Sequence, residues 1–207
     1  MSGRRLAGEA RSQAIVQSAL GLFAREGFDG TTTRQLARAA GVSEALLFKH
    51  FPNKQALYRA ILESKIREAE SALPLDETLD RLEDEEFFLK IATHIMRRVD
   101  ADDAFCRLMI RSALDGHELA LQFHHARAGR LLTRIARRLK DRYRRLGIRD
   151  GLNPALAARL FNGMILSSMM QRRFFNDEVI MRTPIDPLAR AVVRVFLQGT
   201  GAPGRRS

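Results

Sequence analysis

A chain of 207 residues, 45% hydrophobic and 29% charged, carries enough apolar material for one or two ordinary cores and does not have the composition of a disordered segment. Its 35 Lys and Arg against 24 Asp and Glu give +11, so a lasting partner is expected to be polyanionic. The single cysteine excludes a disulfide framework, no Cys/His spacing suits zinc, and no apolar run reaches the roughly 18 residues of a membrane span or resembles a secretory signal; a soluble, cytoplasmic protein without cofactor or metal is the expectation.

Apolar residues recur at intervals of three and four, and no period-2 run bounded by turn signals interrupts them, which predicts an all-α chain of about nine helices. The first helix spans about Arg11 to Glu26, with Ile15, Ala19, Leu22 and Phe23 on one stripe, Gly27 as a left-handed stop and Phe28 folding back. Thr32 with Gln35 three residues on is a capping-box pattern that opens a second helix, which carries Leu36, Ala37 and Ala40 inward and ends at Gly41. Ser43 caps a third helix to about His50, and Pro52, lacking an amide, stops it. A fourth helix runs from about Asn53 to Glu70 with Leu57, Ala60 and Ile61 buried, until Pro74 breaks the chain. Further helices fall at about 84–99, 103–114, 118–146, 154–175 and 185–198, the last two announced by Asn153-Pro154 and Thr183-Pro184, each a cap followed by a first-turn proline. From Gly199 the chain is expected to fray.

Charge is unevenly laid out along these elements. Residues 1–59 carry nine basic and four acidic side chains, 60–104 six and thirteen, 105–150 twelve and four, and 151–207 eight and three. A basic start, an acidic middle and a basic second half do not make a uniformly basic coat.

Thr32 to Phe51 is the sharpest signal: a short capped helix, a Gly41-Val42-Ser43 turn and a second short helix. Helices joined by so short a turn cross steeply, and the second protrudes as a rod of about 12 Å, matching the major groove of DNA in width. Its open side offers Ser43, Glu44, Ala45, Lys49 and His50, while Thr33, Arg34, Lys49 and Lys54 surround it with groups suited to phosphate. An ordinary helical hairpin with solvated basic residues is the competing reading.

The run GFDGTTTRQLARAAGVSEALLFKHFPNKQALYRAIL, and the stretch of about residues 11–62 around it, closely resembles the DNA-binding domain of the tetracycline-repressor (TetR) family of bacterial transcription regulators. Gly27, Phe28, Thr32, Thr33, Leu36, Ala37, Ala40, Gly41, Val42, Ser43, Leu47, His50, Phe51 and Lys54 carry the likeness. The resemblance implies a helix-turn-helix DNA-binding domain, here residues 1–56, and a helical effector-binding and dimerisation domain, here 57–207. It implies a homodimeric repressor of a near-palindromic operator that a small molecule releases. It also implies DNA contacts from Thr33 and Arg34 opening helix two, from Ser43, Ala45, Lys49 and His50 on the recognition helix, and from Lys54 to phosphate, with Thr32, Glu44 and Phe48 in the same set. Phe48 stands where the family usually has tyrosine, so a phenolic hydroxyl is missing. The ring can still press on a thymine methyl or the sugar backbone, or it can close the helix onto helix four. Glu44 can accept from a cytosine amino group, or serve as a first-turn carboxylate that the helix dipole favours.

For the second half the residues speak without help from the resemblance. Phe105, Met109, Phe161, Met164 and Ile165, with Leu108, Phe123, Met169 and Phe174, are candidate walls of a ligand pocket, and His125 and Arg172, with Asn162 and Gln171, candidate orienters; most of such a list ordinarily packs as core. His117 and His124 sit seven residues apart, about 10 Å along a helix, too far to share an ion unaided, and no metal is expected. Arg127 to Arg149 is the most basic stretch, an amphipathic helix whose cationic face is expected to be solvated. Competing uses of that face are an acidic effector, the acidic segment at Glu83 to Glu86 of the same or a partner chain, or an anionic membrane. Residues 154–198, with Ala157, Ala158, Gly163, Ser167 and Ser168, are expected to form a two-fold four-helix dimer contact. The sequence holds no Gly-rich phosphate loop, nucleophile elbow or metal triad, so catalysis is not expected; an anionic-membrane-surface or scaffold protein acting through Arg127 to Arg149 is the alternative function.

Overall fold

The computed structural model describes residues 2–72 and 77–201. Among the described residues every regular element is a helix: α1 (Ser2–Gly30), α2 (Thr33–Ala39), α3 (Glu44–His50), α4 (Lys54–Ala72), α5 (Glu77–Asp80), α6 (Asp84–Ala101), α7 (Asp103–Leu114), α8 (Glu118–Leu146), α9 (Pro154–Arg173), α10 (Glu178–Arg182) and α11 (Ile185–Gly201). The all-α expectation holds, with eleven helices where about nine were predicted. The two additions, α5 and α10, are four and five residues long, too short to show a hydrophobic period. Asp177 caps α10, accepting from the Ile180 amide at 3.0 Å.

The chain divides into two compact units, one built from the residues up to Ser71 and Asp103–His125, the other from Ala72–Asp102 and the residues from Ala126 on. A division after residue 56 falls inside α4, whereas these units keep α4 whole through Ser71 and add α7 to the first unit.

In the first unit, α1 bends where Gly27 takes φ 77° and ψ 174°, a conformation that L side chains rarely adopt. A Cβ there would stand 2.7 Å from Arg111 Nε, so both backbone and space call for glycine. Phe28 turns back as expected, stacking on Phe23 at 5.8 Å and meeting Tyr58 edge-on at 5.3 Å. Leu36, Leu47, Leu57 and Ile61 fill the same core, and α7 contributes Phe105 and Leu108. The Tyr58 hydroxyl shares a hydrogen bond with Ser112, both buried, and burial raises the Tyr58 pKa above the ordinary phenol value.

The second unit packs α6, α9 and α11 around Phe87, Phe88, Phe161 and Phe196, whose rings meet at 4.8 to 5.3 Å. The predicted fraying does not begin at Gly199: α11 continues to Gly201, and Thr200 Oγ1 donates back to the Phe196 carbonyl at 2.9 Å. The predicted break at Pro74 and the chain after Gly201 lie outside the described residues. None of the described helices is long and apolar enough to cross a membrane.

Candidate nucleic-acid interface

Local chemistry sets each end of α2 and α3. Thr32 Oγ1 accepts from the Gln35 amide at 3.3 Å while Gln35 Oε1 accepts from the Thr32 amide at 2.8 Å, the reciprocal capping box that the sequence announced. After α2, Gly41 takes φ 64°, the Gly41 amide donates to Arg38 and the Val42 amide to Ala37 at 3.0 Å, so the last carbonyls of α2 are satisfied by a left-handed glycine cap. A Cβ on Gly41 would meet nothing within 4 Å, so conformation alone, not crowding, requires glycine there. Ser43 Oγ accepts from the Leu46 amide at 3.2 Å and starts α3.

These caps turn one face of α3 into the core and the other outward. Leu47 is 2% exposed, whereas Ser43, Glu44, Ala45, Phe48 and Lys49 are exposed and His50 is half-buried. Phe48 is 41% exposed, which divides the difference between its two readings. Its ring edges a shallow depression with Thr33, Leu36, Leu47, Phe51, Asn53, Lys54 and Leu57 and leaves the rest of its surface outward.

Four of the residues expected to contact phosphate or base, Thr32, Thr33, Glu44 and Lys54, already hold partners within the unit. Thr33 Oγ1 donates to Glu44 Oε2 at 2.9 Å, tying the start of α2 to the start of α3. Thr32 Oγ1 donates to Gln35 Oε1 at 2.7 Å, and Gln35 Nε2 donates to Glu26 at 3.3 Å. Lys54 Nζ donates to the carbonyls of Phe28 at 2.8 Å and Thr31 at 3.1 Å and lies 4.3 Å from the Phe28 ring centroid. One of its three protons remains for an outside acceptor. Arg34 and Lys49 are exposed. Sequence reasoning missed the Thr33 to Glu44 and Lys54 to carbonyl bonds, since both join residues that become neighbours only when the helices cross.

The structure places the candidate effector residues in different surroundings. Phe161 and Ile165 are fully buried in the second unit's core, and Met164 packs against it. Phe105 and Met109 instead belong to the first unit's core, beside α1 and α4. His125 is exposed on α8. Arg172 is a clamp: it donates to the carbonyls of Ile180, Met181 and Thr183 at 2.9 to 3.1 Å and pairs with Asp100 at 3.2 Å, fixing the excursion that contains α10. The side chain of Phe123 lies outside the described residues.

Two expectations for the second unit are corrected. The cationic face of α8 is not simply solvated, because Arg134 and Arg137 pair with Asp80 and Arg138, Arg142 and Arg145 pair with Asp84, all at 2.7 to 3.1 Å. The acidic segment of the same chain is therefore its partner. Ala157 and Ala158 are fully buried, so they let α9 approach its own unit's helices, and only Gly163 and Ser167 of the small residues sit on the outer face with Leu156 and Leu160.

A chain helical throughout its described elements, with a capped helix-turn-helix in one unit and a second helical unit interleaved with it in sequence, has the architecture of a two-unit DNA-binding regulator. The N-terminal model of the tetR family of bacterial regulatory proteins matches residues 15–61, and the C-terminal-domain model of AefR-like transcriptional repressors matches residues 87–199, more than half of the chain. The chain belongs to the TetR family. Nucleoid occlusion factor SlmA of Marinomonas sp. (strain MWYL1) is 31% identical over 130 residues, covering 60% of this chain and 61% of SlmA. HTH-type transcriptional regulator RutR of Escherichia coli (strain K12) is 47% identical over 53 residues, 26% of this chain and 25% of RutR. The chain thus matches less than two thirds of the length of either relative. In fold it is similar to the transcriptional regulator FadR of Bacillus subtilis, solved in complex with stearoyl-CoA, at a TM-score of 0.68 and 18% identity, covering 90% of this chain and 98% of FadR.

Proposed function

We propose that this protein is a sequence-specific, homodimeric transcriptional repressor of the bacterial cytoplasm, released from its operator by a small-molecule effector. The observation that carries the reading is the outward face of α3, where Ser43, Glu44, Ala45, Phe48 and Lys49 are exposed together while Leu47 and the two caps hold the helix rigidly. Ser43, Ala45, Phe48, Lys49 and His50 meet base edges in the major groove; Arg34 and the remaining proton of Lys54 meet phosphate, and Thr32 and Thr33 reach it by giving up their bonds to Gln35 and Glu44. Glu44, held by Thr33, orders the two helix starts and keeps its second oxygen for a cytosine amino group.

The outer faces of α9 and α11, with Leu156, Leu160, Gly163, Ser167, Ala191 and Val195, supply the two-fold contact, which sets two copies of α3 on successive major grooves about 34 to 36 Å apart. FadR carries an acyl-coenzyme A, and an amphiphilic effector of that kind suits a second unit whose interior around Phe161, Met164 and Ile165 is apolar. Selection of bound duplexes from a random pool tests the reading: enrichment of a near-palindrome with half-sites one helical turn apart is expected, and recovery of unenriched sequence overturns it.

A further inference from the structure

Along α8, Arg134, Arg138, Arg142 and Arg145 follow at spacings of four, four and three, so they form one stripe about 16 Å long, flanked by Arg137. Around Asp84, among the described residues, the stripe holds more positive charge than its partner answers. Asp84 alone receives three guanidinium groups: its Oδ1 accepts from Arg138 Nε and Arg145 Nη2, both at 2.7 Å, and its Oδ2 from Arg142 Nη1 at 3.1 Å and Arg145 Nη2 at 2.8 Å. Asp80 receives two more, from Arg134 and Arg137. At Asp84, among the described residues, three cations thus share one carboxylate. Among the described residues, the exposed Glu83, Glu85 and Glu86 make no ion pair with the stripe, although they adjoin Asp84 in sequence.

The geometry also leaves donors over. Arg142, whose side chain is 16% exposed, bonds through one nitrogen only, and among the described residues nothing accepts from its buried Nε. Arg145 uses a single nitrogen as well. Arg138 is fixed in place by the carbonyls of Asp80 and Leu82 and by the Phe87 ring beneath it at 5.2 Å, which makes it a rigid wall. Asp84 lies in the first turn of α6, an 18-residue helix whose N-cap, Glu83, makes no side-chain cap bond, so the helix start adds its own positive end to the cluster. A flat carboxylate with two oxygens underuses such a cage; a tetrahedral oxyanion with three or four oxygens and two charges matches it better.

We propose that Arg138, Arg142 and Arg145 form a binding site for the phosphoryl group of a small phosphorylated ligand, which Asp84 occupies as a tethered stand-in when the ligand is absent. The incoming phosphoryl displaces the Asp84 carboxylate, takes the bonds of Arg145 and Arg142, and supplies the acceptor that Arg142 Nε lacks. Occupancy would thereby trade the link from α6 to the end of α8 for a ligand. The site deepens the effector half of the function proposed above, and its binding is measured without DNA so that the two readings fail separately.

Calorimetric titration of the full-length protein with inorganic pyrophosphate at fixed ionic strength tests it. Saturable binding is expected, weakened about tenfold or more by Arg145→Ala and left within about twofold by Arg144→Ala, whose arginine is exposed and pairs with Asp141 instead. Asp84→Asn is expected to tighten binding by removing the competitor; Arg145→Ala, at a half-exposed position, keeps the test valid should Asp84→Asn fold poorly. No saturable heat, or equal loss in Arg144→Ala and Arg145→Ala, overturns the site. So does binding to anionic vesicles that Arg145→Ala abolishes and pyrophosphate fails to displace, which would assign the stripe to a membrane. A protein that selects an operator yet ignores pyrophosphate sinks this site alone; one that binds pyrophosphate and selects no duplex sinks the regulator reading alone.

Discussion

The helix-turn-helix of the first unit and the α6 to α8 arginine network of the second are both polar constructions, but they are made over different distances along the chain. The caps of α2 and α3 join residues three apart, and the turn between them closes through bonds three and five residues back. The arginine network joins residues 54 to 61 positions apart. Local bonds form wherever the right residues occur at the right spacing, whatever the rest of the chain does. Long-range pairs exist only after two helices have been brought side by side by their apolar faces. The recognition element is therefore rigid by local chemistry, and the second unit depends on its core to keep its charges matched.

Four expected outcomes sharpen or break this contrast. The largest effect belongs to the core that aligns α6, α9 and α11: Phe88→Ala, removing a fully buried ring that meets Phe87, Phe161 and Phe196, is expected to cost about 3–5 kcal/mol in denaturant unfolding. A cost under about 1 kcal/mol would show that the second unit does not hang on this cluster. Next, Gly41→Val places a β-branched residue at φ 64° and is expected to destabilise by about 2 kcal/mol and abolish operator binding, whereas Gly41→Asn, tolerated in the left-handed region, retains it. Operator affinity in a folded Gly41→Val protein equal to that of the parent would make the turn an ordinary connection.

A smaller effect is expected from acid. Burial pushes the Asp84 carboxyl upward, but hydrogen bonds from Arg138 and Arg142 and the charges of Arg138 and Arg145 outweigh it and hold the group below its ordinary range. A depressed folded pKa stabilises above the unfolded value of about 3.9, and that stability is lost as pH falls through the folded value. Stability of the parent is therefore expected to drop below about pH 4 more steeply than that of Asp84→Asn; superimposable pH profiles would remove the network from the acid transition. The smallest effect is expected at Lys54, where loss of one phosphate contact lowers the log-log salt slope of operator binding by about 1 in Lys54→Ala. An unchanged slope with lowered thermal stability would assign the ammonium wholly to the Phe28 and Thr31 carbonyls.

Much of the recognition unit was legible because its signals are short. Thr32 with Gln35, Gly41 and Ser43 each act on neighbours in sequence, so α2, the turn and α3 could be placed to within a residue or two. The interior was legible too: Ile15, Phe23, Leu36, Leu57 and Ile61 follow a helical period and all are buried. What could not be read were partners. Nothing in a local window tells that Thr33 will spend its proton on Glu44, that Lys54 will cap the end of α1, or that Arg172 will gather three carbonyls around α10. Phe105 and Met109 looked like pocket walls equivalent to Phe161 and Ile165 because an apolar residue at helical spacing carries no record of which core it joins.

Hydrophobic period, caps and left-handed glycines act within one or two turns, so nine of the eleven described helices, most of their ends and the outward residues of α3 were settled in the sequence alone, and α5 and α10 were not. The tertiary structure alone decided that α7 completes the core of the recognition unit and that the arginines of α8 meet Asp80 and Asp84. Those pairings depend on where helices distant in sequence come to rest, and charges find their partners only after the apolar faces have set that position.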